Sequence, residues 1–171
     1  MPVIESVKFD ALVFENRNEP QNSLTNWVEV ILQKYYKLGK VCKELEQLIK
    51  YNAKSSFFAP NGTYELCGEL LHMGARVKKL TKLKYVINQA IYALPPEFRD
   101  ITAAKFIKRI AHSQIADKFG LAKSSVYRKL SVSKVLLVDW FAENNMNALW
   151  FKRHFGDESV FKRAFRGLSA Y

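Results

Sequence analysis

An all-α fold is what this sequence predicts, on three observations. Apolar residues from Leu24 to Ile49 recur at alternating spacings of four and three. From Leu94 to Phe141, apolar and small residues fall where short, closely packed helices need them. From Asn144 to Tyr171, aromatic residues alternate with basic ones at spacings that suit amphipathic helices. The expected architecture is a long N-terminal heptad helix, a bundle of shorter helices and a C-terminal helical tail.

With domains of about 100–200 residues, 171 residues allow one domain or two small ones. A hydrophobic content of 49% is ample for a core. The expected divisions are an arm at 1–22, a long amphipathic or oligomerisation helix at 23–59, a bundle at 60–142 and a basic, aromatic tail at 143–171. In the arm, Val7, Phe9, Ala11 and Val13 alternate with Lys8, Asp10 and Leu12, a pattern open to an edge strand or to a segment ordered by a partner. Ser23 is a suitable N-cap for the long helix. The stripe Leu24, Val28, Ile31, Tyr35, Leu38, Cys42, Leu45 and Ile49 matches the seam of a coiled coil or of a helix packed antiparallel on another. Trp27, Val41 and Leu48 widen that stripe, so packing within the chain and a homodimer through residues 24–49 both stay open. Gly39 weakens the helix by about 1 kcal/mol relative to Ala without ending it, because the repeat continues in phase.

Pro60-Asn61-Gly62-Thr63 then reads as a turn and a domain boundary. One helix is expected from Tyr64 to Met73, ending at Gly74, and another from Leu80 to Ala93. The second places Leu83, Val86, Ile87, Ala90, Ile91 and Leu94 inward and Lys78, Lys79, Lys82 and Lys84 outward. Pro95 breaks it, and Pro96 opens the next helix.

Ile115 and Ala116 belong on a short helix that packs closely on its successor, with Ala116 small enough to let the backbones approach. Gly120 can take the left-handed conformation that turns the chain, Leu121 plugs the corner, and Val126 and Leu130 give the next helix an inward face. Outward point Lys123, Ser124, Ser125, Tyr127, Arg128 and Lys129, with Lys134 beyond them. Hydroxyl, basic and aromatic side chains at a helix start suit phosphates and base edges in a major groove. This is the spacing of a helix-turn-helix, and the expected partner is double-stranded DNA. With Leu94-Pro95-Pro96-Glu97-Phe98-Arg99 and Ser113-Gln114-Ile115-Ala116 upstream, the stretch resembles region four of sigma factors, where a Leu-Pro helix start precedes an Ile-Ala helix and the recognition helix. The recognition helix continues through Val135, Leu136, Leu137, Trp140 and Phe141, so its far half is core.

In the tail, Trp150, Phe151, Phe155, Phe161 and Phe165 interleave with Lys152, Arg153, Lys162, Arg163 and Arg166. Such interleaving can bind nucleic-acid strands. The preferred reading is an amphipathic hairpin, with Gly156 closing one helix and Asp157 or Ser159 capping the next, whose aromatics lock onto the core.

The net charge of +11 is unevenly placed. Residues 1–75 hold eight Lys/Arg against nine Asp/Glu, a balance of −1, and residues 76–171 hold nineteen against seven, a balance of +12. A basic half joined to a neutral half assigns the positive field to one functional unit, and binding a polyanion is its plainest use.

The chemistry of catalysis is missing. His72, His112 and His154 are far apart, with no Cys or carboxylate at metal-ligand spacing. No G-x-S-x-G, no Gly-rich phosphate loop and no H-E-x-x-H occurs. Glu97 and Asp100 suit the positive end of a helix rather than a pair of catalytic acids. A non-enzyme without cofactor or metal is expected. Cys42 and Cys67 read as reduced, buried thiols, and no signal peptide or membrane span is visible, so the expected setting is the cytoplasm, with no membrane partner.

The long heptad helix, the Ser-Ser-Phe-Phe segment with its loop, the helix ending in Ala93-Leu94-Pro95 and the closing Asp139-Trp140-Phe141-Ala142 resemble the ArpU and RinA type of phage late-gene regulators. The resemblance spans Ser23 to Ala142 and is strongest from Leu94 to Leu130. It implies promoter-proximal DNA binding and activation of phage or prophage late genes, with contact to RNA polymerase as one route. Ala122 departs from the pattern, where a Ser, Thr or Pro cap is common, and so does the extra tail. The neutral N-terminal half lacks the promoter-melting aromatics and clamp helix of a full sigma factor. Two alternatives stand beside the regulator: a phage small terminase-like packaging protein, and a helical adaptor whose basic face binds no DNA.

Overall fold

The structure, a computed structural model, describes residues 21–55 and 63–162. Residues 1–20 of the arm, the turn at Pro60 and the tail residues Arg163, Phe165 and Arg166 lie outside these, and the last two residues of the expected arm belong to the first helix. Among the described residues the chain is all-α, without a strand. Its helices are α1 (Gln21–Ser55), α2 (Thr63–Ala93), α3 (Pro96–Thr102), α4 (His112–Phe119), α5 (Lys123–Glu143) and α6 (Ala148–Phe155). Ser23 lies within α1 rather than at its N-cap, because the backbone is already helical at Gln21.

Helices α1 and α2 form an antiparallel hairpin. The Tyr35 hydroxyl donates to Asn88 Oδ1 at 2.8 Å, while Cys42 Sγ lies 3.8 Å from Thr81 Oγ1, so advancing along α1 means retreating along α2. The seam residues Val28, Ile31, Leu32, Tyr35, Leu38 and Leu45 are buried in one cluster with Leu80, Leu83, Ile87, Ala90 and Ile91 of α2. Each such aliphatic side chain contributes about 1.5–3 kcal/mol when fully buried. From Val28 to Leu45 the stripe is therefore covered from within the chain, and Leu48 and Tyr51 beyond it are exposed.

Helix α2 departs from expectation by running unbroken through Gly74. A glycine inside a helix costs about 1 kcal/mol relative to Ala, too little to break a helix that packs on α1 from Met73 onward. Cys67, expected to be buried, is exposed, as are its neighbours Tyr64 and Leu71 on the first turns of α2.

Pro95 and Pro96 start α3, where the carbonyl of Pro95 accepts from the N–H groups of Phe98 and Arg99. The helix then widens into a π turn, Ala103–Ile107, marked by the bond from Lys108 N–H to the Ala103 carbonyl at 3.0 Å. Arg109 follows at φ 57°, and the chain reverses into α4. Ile101, Ala104, Ile115, Ala116, Val126 and Leu130 make a second, smaller apolar cluster around this reversal. Helix α5 serves both clusters: Val126 and Leu130 belong to the smaller one, Leu137 and Phe141 to the larger.

Asn147 caps α6, its Oδ1 accepting from Trp150 N–H at 2.9 Å. Trp27 of α1 packs against Phe141 and Phe151, with ring centroids 5.6 and 5.1 Å away, and Phe155 and Phe161 are buried beside them. The tail aromatics thus complete the main core. Two details differ from the expected hairpin. Gly156 closes α6 at φ −61°, not in the left-handed region, and its missing side chain has a different cause: a Cβ there would stand 2.4 Å from the Lys152 carbonyl oxygen. Asp157 and Ser159 cap no helix at 157–161, which runs in turns. Between them Glu158 is buried, its carboxylate 2.9 Å from Arg76 Nη2 and 3.8 Å from Lys79 Nζ, which ties the tail to α2.

Candidate nucleic-acid interface

The site is built on the angle between α4 and α5. Neither helix has a capping side chain at its own N-cap, since Ala111 and Ala122 occupy those positions. At α4 the Gln114 side chain reaches back to accept from Ala111 N–H at 3.3 Å. The far end of α4 closes on Gly120, at φ 62° and ψ 36°. Leu121 N–H bonds to the Ala116 carbonyl at 2.9 Å and Gly120 N–H to that of Asp117, the paired bonds of a Schellman ending. Leu121 then packs against the smaller cluster, and α5 begins at Lys123.

Burial of Val126 and Leu130 sets which side of α5 faces out. Ser124, Tyr127, Arg128 and Ser131, at i, i+3, i+4 and i+7, are all exposed, with Lys123 beside them. Ser125 is half-buried at their edge. Lys129 lies on the other flank, where its ammonium pairs with the Glu97 carboxylate and sits 5.0 Å from the Phe98 ring centroid. Lys134 is drawn toward α1 and bonds to Glu29 Oε2 at 2.9 Å. Of the seven polar candidates read from the sequence, four are exposed on one face, one lines its edge and two are held by carboxylates. Ser131 joins that face although its residue type carries no signal of its own. Of the six apolar and turn residues, Ile115, Ala116, Val126 and Leu130 are buried together beneath it with Leu121 packed against them, and Gly120 is exposed at the turn.

Three further residues from outside α5 line a cleft beside this face. The His112 ring stacks on Tyr127, with centroids 4.3 Å apart and planes 25° from parallel. Burial, and secondarily the Lys105 charge, hold the His112 imidazole below its usual pKa. Lys105 Nζ lies 3.3 Å from His112 Nδ1, which places the lone pair of a neutral ring at Nδ1 and its proton at Nε2. The Arg109 guanidinium lies 3.9 Å from the centroid of the Tyr36 ring on α1. The sequence marks none of these, because the π turn that aims Lys105 and Arg109 has no residue signature and an isolated histidine is ordinarily structural. Together they border a cleft of about 460 Å³ between α1 and α5. No group of three metal-binding side chains occurs among the described residues. No helix among them is long and apolar enough to cross a membrane.

Comparison of the chain with protein-family models, with curated proteins and with solved structures gives no match. The functional reading rests on the geometry and charge of the chain itself.

Proposed function

We propose that this chain is a sequence-specific, double-stranded DNA-binding transcriptional regulator that inserts the first turns of α5 into a major groove. The observation that carries the reading is the exposed row of Lys123, Ser124, Tyr127 and Arg128 at the start of α5, on a helix pair whose angle is set by the left-handed Gly120. The first N–H groups of α5 have no capping side chain, and such a helix start attracts a phosphate. Lys123 adds charge at the same end. In this reading Arg128 offers its two-pronged guanidinium to a guanine edge, and Tyr127 and Ser124 meet sugar and phosphate. The basic balance of residues 76–171 supplies the field that brings a duplex to this face. The resemblance from Ser23 to Ala142 points the regulator toward phage or prophage late genes, with RNA polymerase as a second partner. The role is one of binding, without catalysis.

Sequencing the DNA recovered with the full-length protein from cells tests this reading. Enrichment of one motif upstream of a block of genes is the expected result. Recovery of DNA without sequence preference overturns the specific regulator, and a closed ring of subunits in solution moves the reading to a terminase-like packaging protein.

A further inference from the structure

The cleft between α1 and α5 shares Tyr127 and Ser131 with the exposed face of α5 and otherwise lies apart from it. Its lining joins aromatic rings, Tyr36, Phe106, His112 and Tyr127, to the cations Lys105, Arg109 and Lys134. Glu29, the acid on the lining, is bonded to Lys134, so these two charges cancel. Lys105 and Arg109 have no carboxylate partner among the described residues, and Lys105 instead faces a histidine nitrogen. Two uncompensated cations match the charge of a phosphate monoester, which is close to −2 at neutral pH. Arg109 is also held in the left-handed region at φ 57°, a conformation unfavourable for a residue with a Cβ and one that concentrates at ligand sites. Its stack on Tyr36 covers one face of the guanidinium and leaves the planar N–H edge to bond oxygen atoms. The volume, about 460 Å³, falls within the roughly 300–1,000 Å³ typical of small-molecule sites.

We propose that this cleft binds a phosphate group carried beside a planar base, with Lys105 and Arg109 holding the phosphate and the aromatic walls receiving the base. That chemistry has two sources: a free nucleotide, whose monophosphate carries a charge close to −2, or a strand of the duplex that passes over α5, where two neighbouring phosphates of one charge each meet the two cations. The inference goes beyond the DNA-binding reading, because the first source requires no DNA.

Nuclear magnetic resonance of the His112 ring protons in the full-length protein separates the possibilities. At about pH 8 the lowered pKa keeps the ring uncharged, so shifts report contact rather than protonation. Adenosine monophosphate, adenosine and a short DNA duplex serve as probes. The comparison protein carries Lys105→Gln and Arg109→Asn, since Asn tolerates a left-handed backbone, and circular dichroism checks its fold. Saturable shifts with adenosine monophosphate, weakened about tenfold or more in the double variant, support a free-nucleotide site. Shifts with the duplex alone, lost in the same variant, support a strand phosphate. The proposal is overturned if adenosine acts as well as its monophosphate, if no probe moves His112, or if the double variant responds like the wild type. A protein that binds adenosine monophosphate but no duplex retains this site while losing the regulator reading.

Discussion

Substituting Gly120 tests whether the α4–α5 angle depends on backbone conformation or on space. At φ 62° the residue is left-handed, and a Cβ built there meets nothing within 4 Å. The whole effect of a substitution is therefore conformational strain, and side-chain volume adds no clash. An L-residue in this region costs about 1–2 kcal/mol, and a β-branched one up to roughly 3 kcal/mol, while Asn is tolerated there. The expected stability order is Gly, Asn, Ala, Val, from highest to lowest. For a chain of this size each kcal/mol moves the melting temperature by about 2–4 °C, so Gly120→Val, at about 1–3 kcal/mol, lowers it by roughly 2–12 °C and Gly120→Asn by much less. Thermal and urea unfolding measure the first quantity, and a gel-shift titration measures the second, the affinity for the recovered DNA. Affinity should fall further in the Val variant than its stability loss explains, because α5 must enter the groove at a fixed angle. An Asn variant no more stable than Val refutes the strain argument. Wild-type affinity in all three variants refutes the use of this helix pair for DNA.

Lys123→Ala should reduce the log–log salt slope of DNA binding by about one unit and change stability by less than about 0.5 kcal/mol. Lys129→Ala should leave that slope unchanged and instead cost about 0.5–1 kcal/mol of stability, since its ammonium is held by Glu97 over the Phe98 ring; a gel-shift salt series and urea unfolding distinguish the two. Thr102 is buried, with an Oγ1 that has no hydrogen-bond partner among the described residues, so Thr102→Val should raise stability by about 1 kcal/mol, and a fall in the urea midpoint would show that the hydroxyl is satisfied. Glu158→Ala should cost about 2–3 kcal/mol in urea unfolding by leaving Arg76 without its buried partner, somewhat below the range for a fully buried pair because Arg76 is half-exposed; a loss under 0.5 kcal/mol would mean that the aromatic side chains alone hold the tail.

Much of this fold is written in short-range pattern. The stripe from Val28 to Leu45 shows its period whatever it packs against, and Pro95-Pro96 marks a helix boundary because proline acts through its own ring. Gly120 is legible for the same reason: one residue type is favoured at a left-handed turn. What the sequence hides depends on distant partners. Gly74 stays helical because α1 supports α2, and nothing near Gly74 says so. Lys129 looks like any basic residue of an exposed helix until Glu97, 32 positions earlier, is folded against it. The cleft is harder still, since it needs Tyr36, Arg109 and Tyr127 from three separate stretches and a π turn to aim one of them. Patterned aromatics in the tail suit burial or strand binding, with burial the commoner case, and the packing of Phe151 against Trp27 and Phe141 shows it as core.

Helix α5 has no joint. It runs for 21 residues, about 32 Å at 1.5 Å per residue, with its first turns gripped by one apolar cluster and its last by another. A rod held at both ends cannot roll at one end alone, so the azimuth of Arg128 is set partly by Trp27, Phe141 and Phe151, several turns away. Substitutions in that remote aromatic clamp would retune what the exposed face recognises without touching it, giving selection a means to change specificity by small rotations instead of by exchanging contact residues.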